Sequence, residues 1–129
     1  LDLNAAKDLK IKVTNTPDVV TNATADLAMA LILMTSRRAV EGDRLVRSGD
    51  WKGWNPMQML GTHVSGSTLG IIGMGRIGQA IAKRAIAFDL KINYHNRRKL
   101  HSELEKNLQA NYWINVEEMI SHVDILVVF

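Results

Sequence analysis

The sequence lacks cysteine altogether and has only two prolines among its 129 residues. A chain without cysteine has no disulfide framework, no thiolate–zinc site and no cysteine nucleophile. A reducing compartment fits this composition, so we expect a cytoplasmic protein. The apolar fraction of 47% and the charged fraction of 22% are typical of a globular domain and exclude a disordered, collagen-like or fibrous chain.

Long apolar runs are also missing. The longest one, Ala25–Met34, is interrupted by Asp26 and falls well short of the ~18 residues that cross a bilayer. Charge of one sign is not in large excess, since 16 Lys and Arg against 13 Asp and Glu leave a net charge of +3. The one basic cluster, Arg97–Lys99, contains no aromatic residue. We expect neither a membrane nor a nucleic-acid partner, and interpret the cluster as a solvated surface or a small phosphate site.

Candidates for metal or nucleophilic chemistry are equally sparse. The four histidines include no pair with metal-ligand spacing, and Ser65 and Ser67 have no obvious base nearby in the sequence. His122 and Asp124 lie in a helix-to-strand turn, where this pair is usually structural. The sequence therefore predicts no metal site.

The N-terminal part is predicted to be an extended segment followed by one long helix. Residues 1–20 are expected to be extended, with a short strand at Lys12–Thr16 that Pro17 ends. Thr21 is a favourable N-cap for one long helix over residues 22–46. Because that helix is apolar on nearly all sides over its first half, we expect it to be buried against more than one neighbour.

A loop with two tryptophans, Trp51 and Trp54, follows this helix. Two such side chains in a polar loop need a surface to pack on. They either fold back on their own domain or anchor a subunit interface, where tryptophan is enriched. Composition alone leaves both interpretations open.

The remaining sequence alternates strands and helices. Strands are predicted at Thr68–Ile72, Lys91–His95, Tyr112–Ile114 and Ile125–Phe129, and helices at Arg76–Phe88, at Ser102–Leu108 and from Asn115 to about Ser121. Ser102 and Glu105 have the spacing of a capping box. Asn115, with Glu118 three residues on, is predicted to cap the last of these helices. This alternation indicates an α/β fold with a Rossmann-type, doubly wound parallel sheet of about four strands. Because the last predicted strand is wholly apolar and nothing follows it, we expect a piece of a longer protein.

The strongest motif is Gly73-Met74-Gly75-Arg76-Ile77-Gly78, a G-x-G-x-x-G sequence between a predicted strand and a predicted helix. That context favours dinucleotide binding over an ordinary glycine-rich turn. Gly73 would form the tight turn, Gly75 would let the backbone approach a pyrophosphate, and Gly78 would let the helix close on the strand. The amides and dipole of the helix N-terminus would attract that pyrophosphate.

The end of the next strand carries the second cofactor signal. An acidic residue there would accept hydrogen bonds from the adenine ribose and repel a 2′-phosphate, but this chain has His95-Asn96-Arg97-Arg98. Asn96 removes the negative charge, and Arg97 and Arg98 offer donors suited to a phosphate dianion. We therefore expect NADP rather than NAD, with a solvated basic turn as the alternative.

Taken together, these motifs resemble the D-isomer-specific 2-hydroxyacid dehydrogenases, in particular their glyoxylate/hydroxypyruvate reductase branch. The matching segments are Asn15–Thr21, Ala23–Ala28, Arg37-Arg38, Val46–Trp54, Leu69–Ala80 and Tyr94–Arg98. The resemblance implies that residues 1–20 end the first segment of a substrate domain and that residues 21–129 form the first half of the NAD(P)-binding domain. It also implies a dimer through the 22–46 helix and the Trp51–Trp54 loop.

The resemblance also assigns cofactor contacts. Thr24 matches a threonine at a helix start that contacts the cofactor, Gly75, Arg76 and Ile77 match the pyrophosphate site, and Asn96 to Arg98 match the ribose-phosphate position. The family's substrate-binding arginine and its acid/base pair are expected beyond Phe129, so no catalytic residue is assigned and the chain alone is expected to be inactive.

The implied activity is hydride transfer between NADPH and a small 2-oxo acid such as glyoxylate or hydroxypyruvate. Two other functions stay open: an NAD-dependent dehydrogenase acting on phosphoglycerate, lactate or formate, and a non-enzymatic nucleotide-sensing dimer of the same fold.

Overall fold

A computed structural model describes all 129 residues, which form six helices and four strands joined by turns and loops. In chain order these are α1 (Leu3–Asp8), α2 (Thr21–Ser36), α3 (Ala39–Arg47), β1 (Thr68–Ile72), α4 (Arg76–Ile86), β2 (Lys91–His95), α5 (Ser102–Asn107), β3 (Ala110–Tyr112), α6 (Val116–Ile120) and β4 (Ile125–Val128). No helix is long and apolar enough to cross a membrane.

The four strands form one sheet in the order β3-β2-β1-β4, and every neighbouring pair is parallel. Leu69 of β1 lies opposite Ile92 of β2 and Ile125 of β4. All three connections between successive strands contain a helix, as parallel pairing requires. The predicted α/β fold with a Rossmann-type parallel sheet is confirmed.

The main core lies between one face of this sheet and α4. Leu69, Ile71, Ile92 and Tyr94 alternate along β1 and β2 with residues of the other face, and all four are buried. The same hydrophobic core contains three residues of α4, Ile81, Ala82 and Ala85. It also contains three residues of α2, Ala25, Met29 and Ile32. Helix α2 therefore packs on α4 as an additional layer.

The other sheet face is covered by α6 and the turn that follows it. A side chain at Gly70 would crowd Val123, whose nearest methyl lies 3.0 Å from the position of the missing Cβ. Asn115 caps α6 as predicted, since its side chain accepts hydrogen bonds from the amides of Glu117 and Glu118. Met119 of α6 is fully buried.

The N-terminal prediction is wrong in two respects. Residues 3–8 form α1, which Asp2 caps by accepting hydrogen bonds from the amides of Asn4 and Ala5. Residues 12–16 do not form a strand, since the four strands of the sheet pair only with one another. An extended segment without a pairing strand has no ladder to join.

The single helix predicted over residues 22–46 is two helices, α2 and α3. Arg38 adopts a left-handed conformation with φ of 53°, which ends the helical path. The loop at 60–62 lies against this break: the Thr62 amide donates to the Ser36 carbonyl at 2.8 Å and Arg38 Nη1 donates to the Leu60 carbonyl at 3.4 Å. Thr21 is the first residue of α2 rather than its cap, and no side chain caps that helix.

Two details near the C-terminus also differ from the predictions. Strand β3 lies at 110–112 rather than 112–114, because Tyr112 pairs with Tyr94 and leaves Ile114 largely exposed. The Ser102 capping box does not form: His101 is the N-cap residue and makes no side-chain capping bond. The Glu105 carboxylate instead accepts a hydrogen bond from the Tyr94 hydroxyl at 2.6 Å.

Candidate functional site

The glycine motif lies at the carboxyl end of β1, where parallel sheets of this kind hold ligands. Gly73 turns the chain with φ of +102°, and a Cβ there would lie 2.6 Å from the Phe129 carbonyl oxygen. Its amide donates to the His95 carbonyl at 3.0 Å. This bond fixes the glycine turn directly beside the end of β2.

The other two glycines have opposite surroundings. A Cβ at Gly75 would meet no atom within 4 Å, so the backbone there faces open space. A Cβ at Gly78 would collide with the Gly73 carbonyl oxygen, so glycine is needed for the start of α4 to pack against the turn. The geometry leaves room beside Gly75 for an approaching group and none at Gly78.

Helix α4 begins at Arg76 without any side-chain cap. Its first amides are therefore available to an external acceptor, and the positive end of the helix dipole favours an anion there. Ile77 is partly buried against the core. Arg76 is exposed and forms an ion pair with Asp18, with Nε 3.1 Å from Oδ1.

Asp18 was not identified from the sequence as part of the site. It lies in the turn before α2 with φ of 68°, and its carboxylate reaches across to the start of α4. Thr24 lies in the first turns of α2 and is partly buried. A second ion pair, Arg84 Nε to Asp26 Oδ1 at 2.6 Å, ties the same part of α2 to α4 further along.

Asn96, Arg97 and Arg98 follow β2 and line one open depression. The Asn96 side-chain amide donates to the Arg98 carbonyl at 3.1 Å, which closes a tight turn. Arg97 and Arg98 are exposed, and neither guanidinium forms an ion pair or a side-chain hydrogen bond. The turn therefore presents two uncompensated cations close to the glycine motif.

Beneath this turn lies a buried polar group. The Tyr94 hydroxyl accepts a hydrogen bond from the Leu100 amide at 2.9 Å and donates to Glu105 Oε1 at 2.6 Å. Glu105 Oε2 also lies 3.4 Å from Lys99 Nζ. The pKa of Tyr94 is raised to about 12, mainly by burial and secondarily by the hydrogen bond to Glu105. The hydroxyl therefore stays neutral. The sequence signal for this group was a tyrosine at an inward-facing strand position, since a buried hydroxyl needs a partner.

The remaining polar candidates have structural partners. His95 Nδ1 lies 3.0 Å from the Trp113 carbonyl, and His122 lies against the Trp113 ring with centroids 5.1 Å apart. Asp124 Oδ2 accepts from both the hydroxyl and the amide of Thr68, at 2.6 and 2.8 Å. These bonds hold the pKa of Asp124 below its usual value. No group of three or more His, Asp or Glu side chains is placed to hold a metal ion.

The two tryptophans of the loop before β1 do not fold into the core. Trp51 is 52% and Trp54 is 82% exposed. Both line a shallow hollow beside α3 together with Val46. Both side chains therefore lie at the surface beside α3 of their own chain, and the exposed part of each remains open to solvent.

Comparisons with known proteins agree with this geometry. A glyoxylate reductase of Pyrococcus horikoshii is 50% identical over an alignment 131 residues long. The alignment covers 98% of this chain and 39% of that protein. A crystal structure of a protein from Thermus thermophilus has a TM-score of 0.88 at 44% identity, covering 100% of this chain and 39% of that one. A crystal structure of a glyoxylate reductase from Paecilomyes thermophila has a TM-score of 0.84 at 40% identity, covering 99% of this chain and 37% of that one.

The chain thus spans about two-fifths of the length of the relatives it matches. Residues 29–129 match the family model described as the NAD binding domain of the D-isomer specific 2-hydroxyacid dehydrogenases, the segment that contains both the glycine motif and the basic turn. On this match, the chain belongs to the D-isomer specific 2-hydroxyacid dehydrogenase family.

Proposed function

We propose that this chain binds the adenosine and pyrophosphate part of NADP. The observation that carries the proposal is the hydrogen bond from the Gly73 amide to the His95 carbonyl. This bond holds the glycine turn beside the end of β2, which supports a pyrophosphate site at the turn next to a ribose-phosphate site at Asn96, Arg97 and Arg98. A dinucleotide with a 2′-phosphate is a ligand with two anionic groups that match both sites.

The residues present fit such a cofactor. The space beside Gly75 and the uncapped start of α4 would accept the pyrophosphate, with Arg76 as a nearby cation once it leaves Asp18. Arg97 and Arg98 would donate charge-assisted hydrogen bonds to the 2′-phosphate. Thr24 and Ile77 would contact the cofactor from the α2 and α4 sides.

We propose that the whole protein transfers a hydride between NADPH and a small 2-oxo acid such as glyoxylate or hydroxypyruvate. The bound nicotinamide would supply the hydride chemistry. This chain's own residues would hold and orient the adenosine half, and no residue of the chain is assigned to substrate binding or to acid/base catalysis. The division into a substrate-domain end at 1–20 and a nucleotide-binding part at 21–129 belongs to this proposal, as does a cytoplasmic location.

A homodimer is the second part of the proposal. Leu27, Leu31 and Met34 recur at helical spacing along α2 and are 60%, 55% and 40% exposed, an apolar stripe that favours a partner surface. The exposed Trp51 and Trp54 side chains are typical interface anchors. A second copy of the chain would cover both.

The test of cofactor choice is Asn96→Asp combined with Arg97→Ala. Two charge-assisted bonds of about 1.5–3 kcal/mol each, reduced by exposure, predict a roughly 10- to 100-fold preference for NADP in the unaltered protein. The variant should shift toward NAD, because aspartate repels the phosphate and accepts from the ribose hydroxyls. Calorimetric titration with both nucleotides measures the ratio, and higher salt should weaken NADP binding.

A matched control is Asn4→Asp combined with Lys7→Ala, which makes the same change in charge at two exposed positions of α1. It should leave the ratio of the two dissociation constants unchanged. If the Asn96/Arg97 variant keeps its NADP preference, the turn is an ordinary solvated surface and the cofactor proposal fails there.

A further inference from the structure

We propose that Tyr94 and Glu105 are positioning residues that set the preference for the 2′-phosphate by holding the turn at 96–99 in one conformation. This inference rests on the proposed NADP site and names residues that would not touch the cofactor. The turn itself is largely exposed, whereas the Tyr94 side chain beneath it is fully buried.

Both ends of the turn are attached to tyrosines of the sheet. At the far end the Leu100 amide donates to the Tyr94 hydroxyl at 2.9 Å, and at the near end the Tyr112 hydroxyl donates to the Asn96 carbonyl at 3.4 Å. The two rings pack on each other with centroids 5.3 Å apart. Because β2 and β3 are hydrogen-bonded neighbours, the turn is connected at both ends to the sheet.

Glu105 completes the support from α5. Its carboxylate accepts from Tyr94 with one oxygen and pairs with Lys99 through the other, and its side chain is only 14% exposed. Lys99 also lies 5.8 Å from the centroid of the Tyr112 ring. Of the three consecutive cations, Lys99 is therefore paired with Glu105, and Arg97 and Arg98 have no ion-pair partner.

The physical consequence is preorganisation. Arginines on a mobile loop lose conformational freedom when they bind a phosphate, and that loss reduces affinity. A backbone that is already fixed leaves only the side chains to be ordered. The benefit applies to a ligand that carries the 2′-phosphate and not to one that lacks it.

The first test is Tyr94→Phe. The substitution removes the acceptor for Leu100 and the donor to Glu105 without changing the charge, because Tyr94 is neutral below a pH of about 12. We expect the dissociation constant for NADP to rise about fivefold, the value for roughly one lost hydrogen bond, and that for NAD to change less than about twofold. Hydrogen exchange at the Leu100 amide should become faster.

The matched control is Trp113→Phe. It removes a hydrogen bond of similar length, from Trp113 Nε1 to Asn93 Oδ1 at 2.8 Å. Asn93 neighbours Tyr94 along β2 and so points to the opposite sheet face. This variant should leave the ratio of the NADP and NAD dissociation constants unchanged even if it lowers the melting temperature.

A second test separates positioning from simple charge. Glu105→Ala removes a negative charge beside the site and frees Lys99, so charge alone predicts tighter NADP binding. Positioning predicts weaker NADP binding and a smaller preference for NADP over NAD. Glu105→Gln keeps an acceptor for the Tyr94 hydroxyl and should restore the preference.

The outcomes distinguish this inference from the proposed function. If the unaltered protein shows no NADP preference, the cofactor proposal fails and the inference falls with it. If the unaltered protein prefers NADP and both Tyr94→Phe and Glu105→Ala retain the full preference, the inference alone is overturned. A lower melting temperature with an unchanged preference would equally overturn it, since the residues would then support only the fold.

Discussion

At the scale of single residues, the three glycines of the motif are alike in the sequence and different in space. Gly73 needs its positive φ, Gly78 needs the absence of a side chain for packing, and Gly75 needs neither for folding. Of the three, only Gly75 has no neighbouring atom within 4 Å of the point where a Cβ would lie. This separates the glycines required by the fold from the one left for a ligand.

The difference gives a prediction. Gly78→Ala should lower the free energy of unfolding by about 1–3 kcal/mol, because its methyl group collides with the Gly73 carbonyl. Gly75→Ala should change that free energy by no more than about 0.5 kcal/mol but weaken dinucleotide binding by about tenfold, or 1.4 kcal/mol. Denaturant unfolding and nucleotide titration measure the two effects. Equal destabilisation by both substitutions would contradict the structural assignment.

At the scale of secondary-structure elements, β1 and β4 are connected by a reciprocal clamp at their starts. Asp124 accepts from the amide and hydroxyl of Thr68, and the Asp124 amide donates back to the Thr68 hydroxyl at 3.0 Å. The hydrogen bonds from Thr68 lower the pKa of the Asp124 carboxyl. The clamp therefore depends on an ionised side chain and holds the register of two parallel strands.

This clamp predicts a pH-dependent stability. A carboxyl whose pKa is lower in the folded state stabilises the fold above its unfolded pKa of about 4, and the contribution is lost as the pH falls through the folded pKa. Asp124→Asn should therefore destabilise the protein at neutral pH and have a smaller effect in acid, below the unfolded pKa. Urea unfolding at neutral and at acidic pH measures the free energy of unfolding of each variant. Thr68→Val removes the hydroxyl that donates to Asp124, so it should also make the stability depend less on pH. A penalty that is the same at both pH values would show that ionisation of Asp124 plays no part.

At the scale of the whole molecule, an exposed set of apolar side chains lies outside the proposed cofactor site. Leu27 and Leu31 on α2 and Trp54 in the loop between α3 and β1 are more than half exposed. A stable interface buries about 800 Å² on each partner, and a helix stripe with tryptophan anchors is suited to supply it. The elements that would form the interface are α2, α3 and the loop, rather than one continuous helix.

We predict that the protein sediments as a dimer at micromolar concentration and that Leu27→Glu shifts it to a monomer, because a buried unpaired carboxylate opposes association. Ile114→Glu is the control: Ile114 is 83% exposed but lies between β3 and α6, and its substitution should leave the dimer intact. Circular dichroism should show both variants folded. A monomer before any substitution would refute the proposed interface.

The sheet could be predicted from the sequence because local patterns and their tertiary roles agree. Strands β1 and β2 form at the predicted residues, Thr68–Ile72 and Lys91–His95, with the glycine motif between β1 and α4. The first segment is mostly apolar, and in the second Ile92 and Tyr94 alternate with polar residues. The Asn115 cap formed as expected for the same reason: its partners are two and three residues away. The assignment of cofactor roles to Thr24, Arg76, Ile77 and Asn96 to Arg98 remains a prediction that the binding experiments address.

The parallel α/β sheet, the positions of β1, β2 and β4 and the place of the glycine turn thus followed from the amino-acid sequence alone, because they depend on apolar patterning and on residues close in the chain. The break at Arg38 did not, since it forms where the loop at 60–62 crosses the end of α2. The hydrogen-bond partner of Glu105 did not follow from the sequence either. Its carboxylate accepts from the buried Tyr94 hydroxyl of β2 instead of capping its own helix. In both cases the deciding contact joins segments that only the fold brings together, and a buried polar group must find its partner wherever the fold places one.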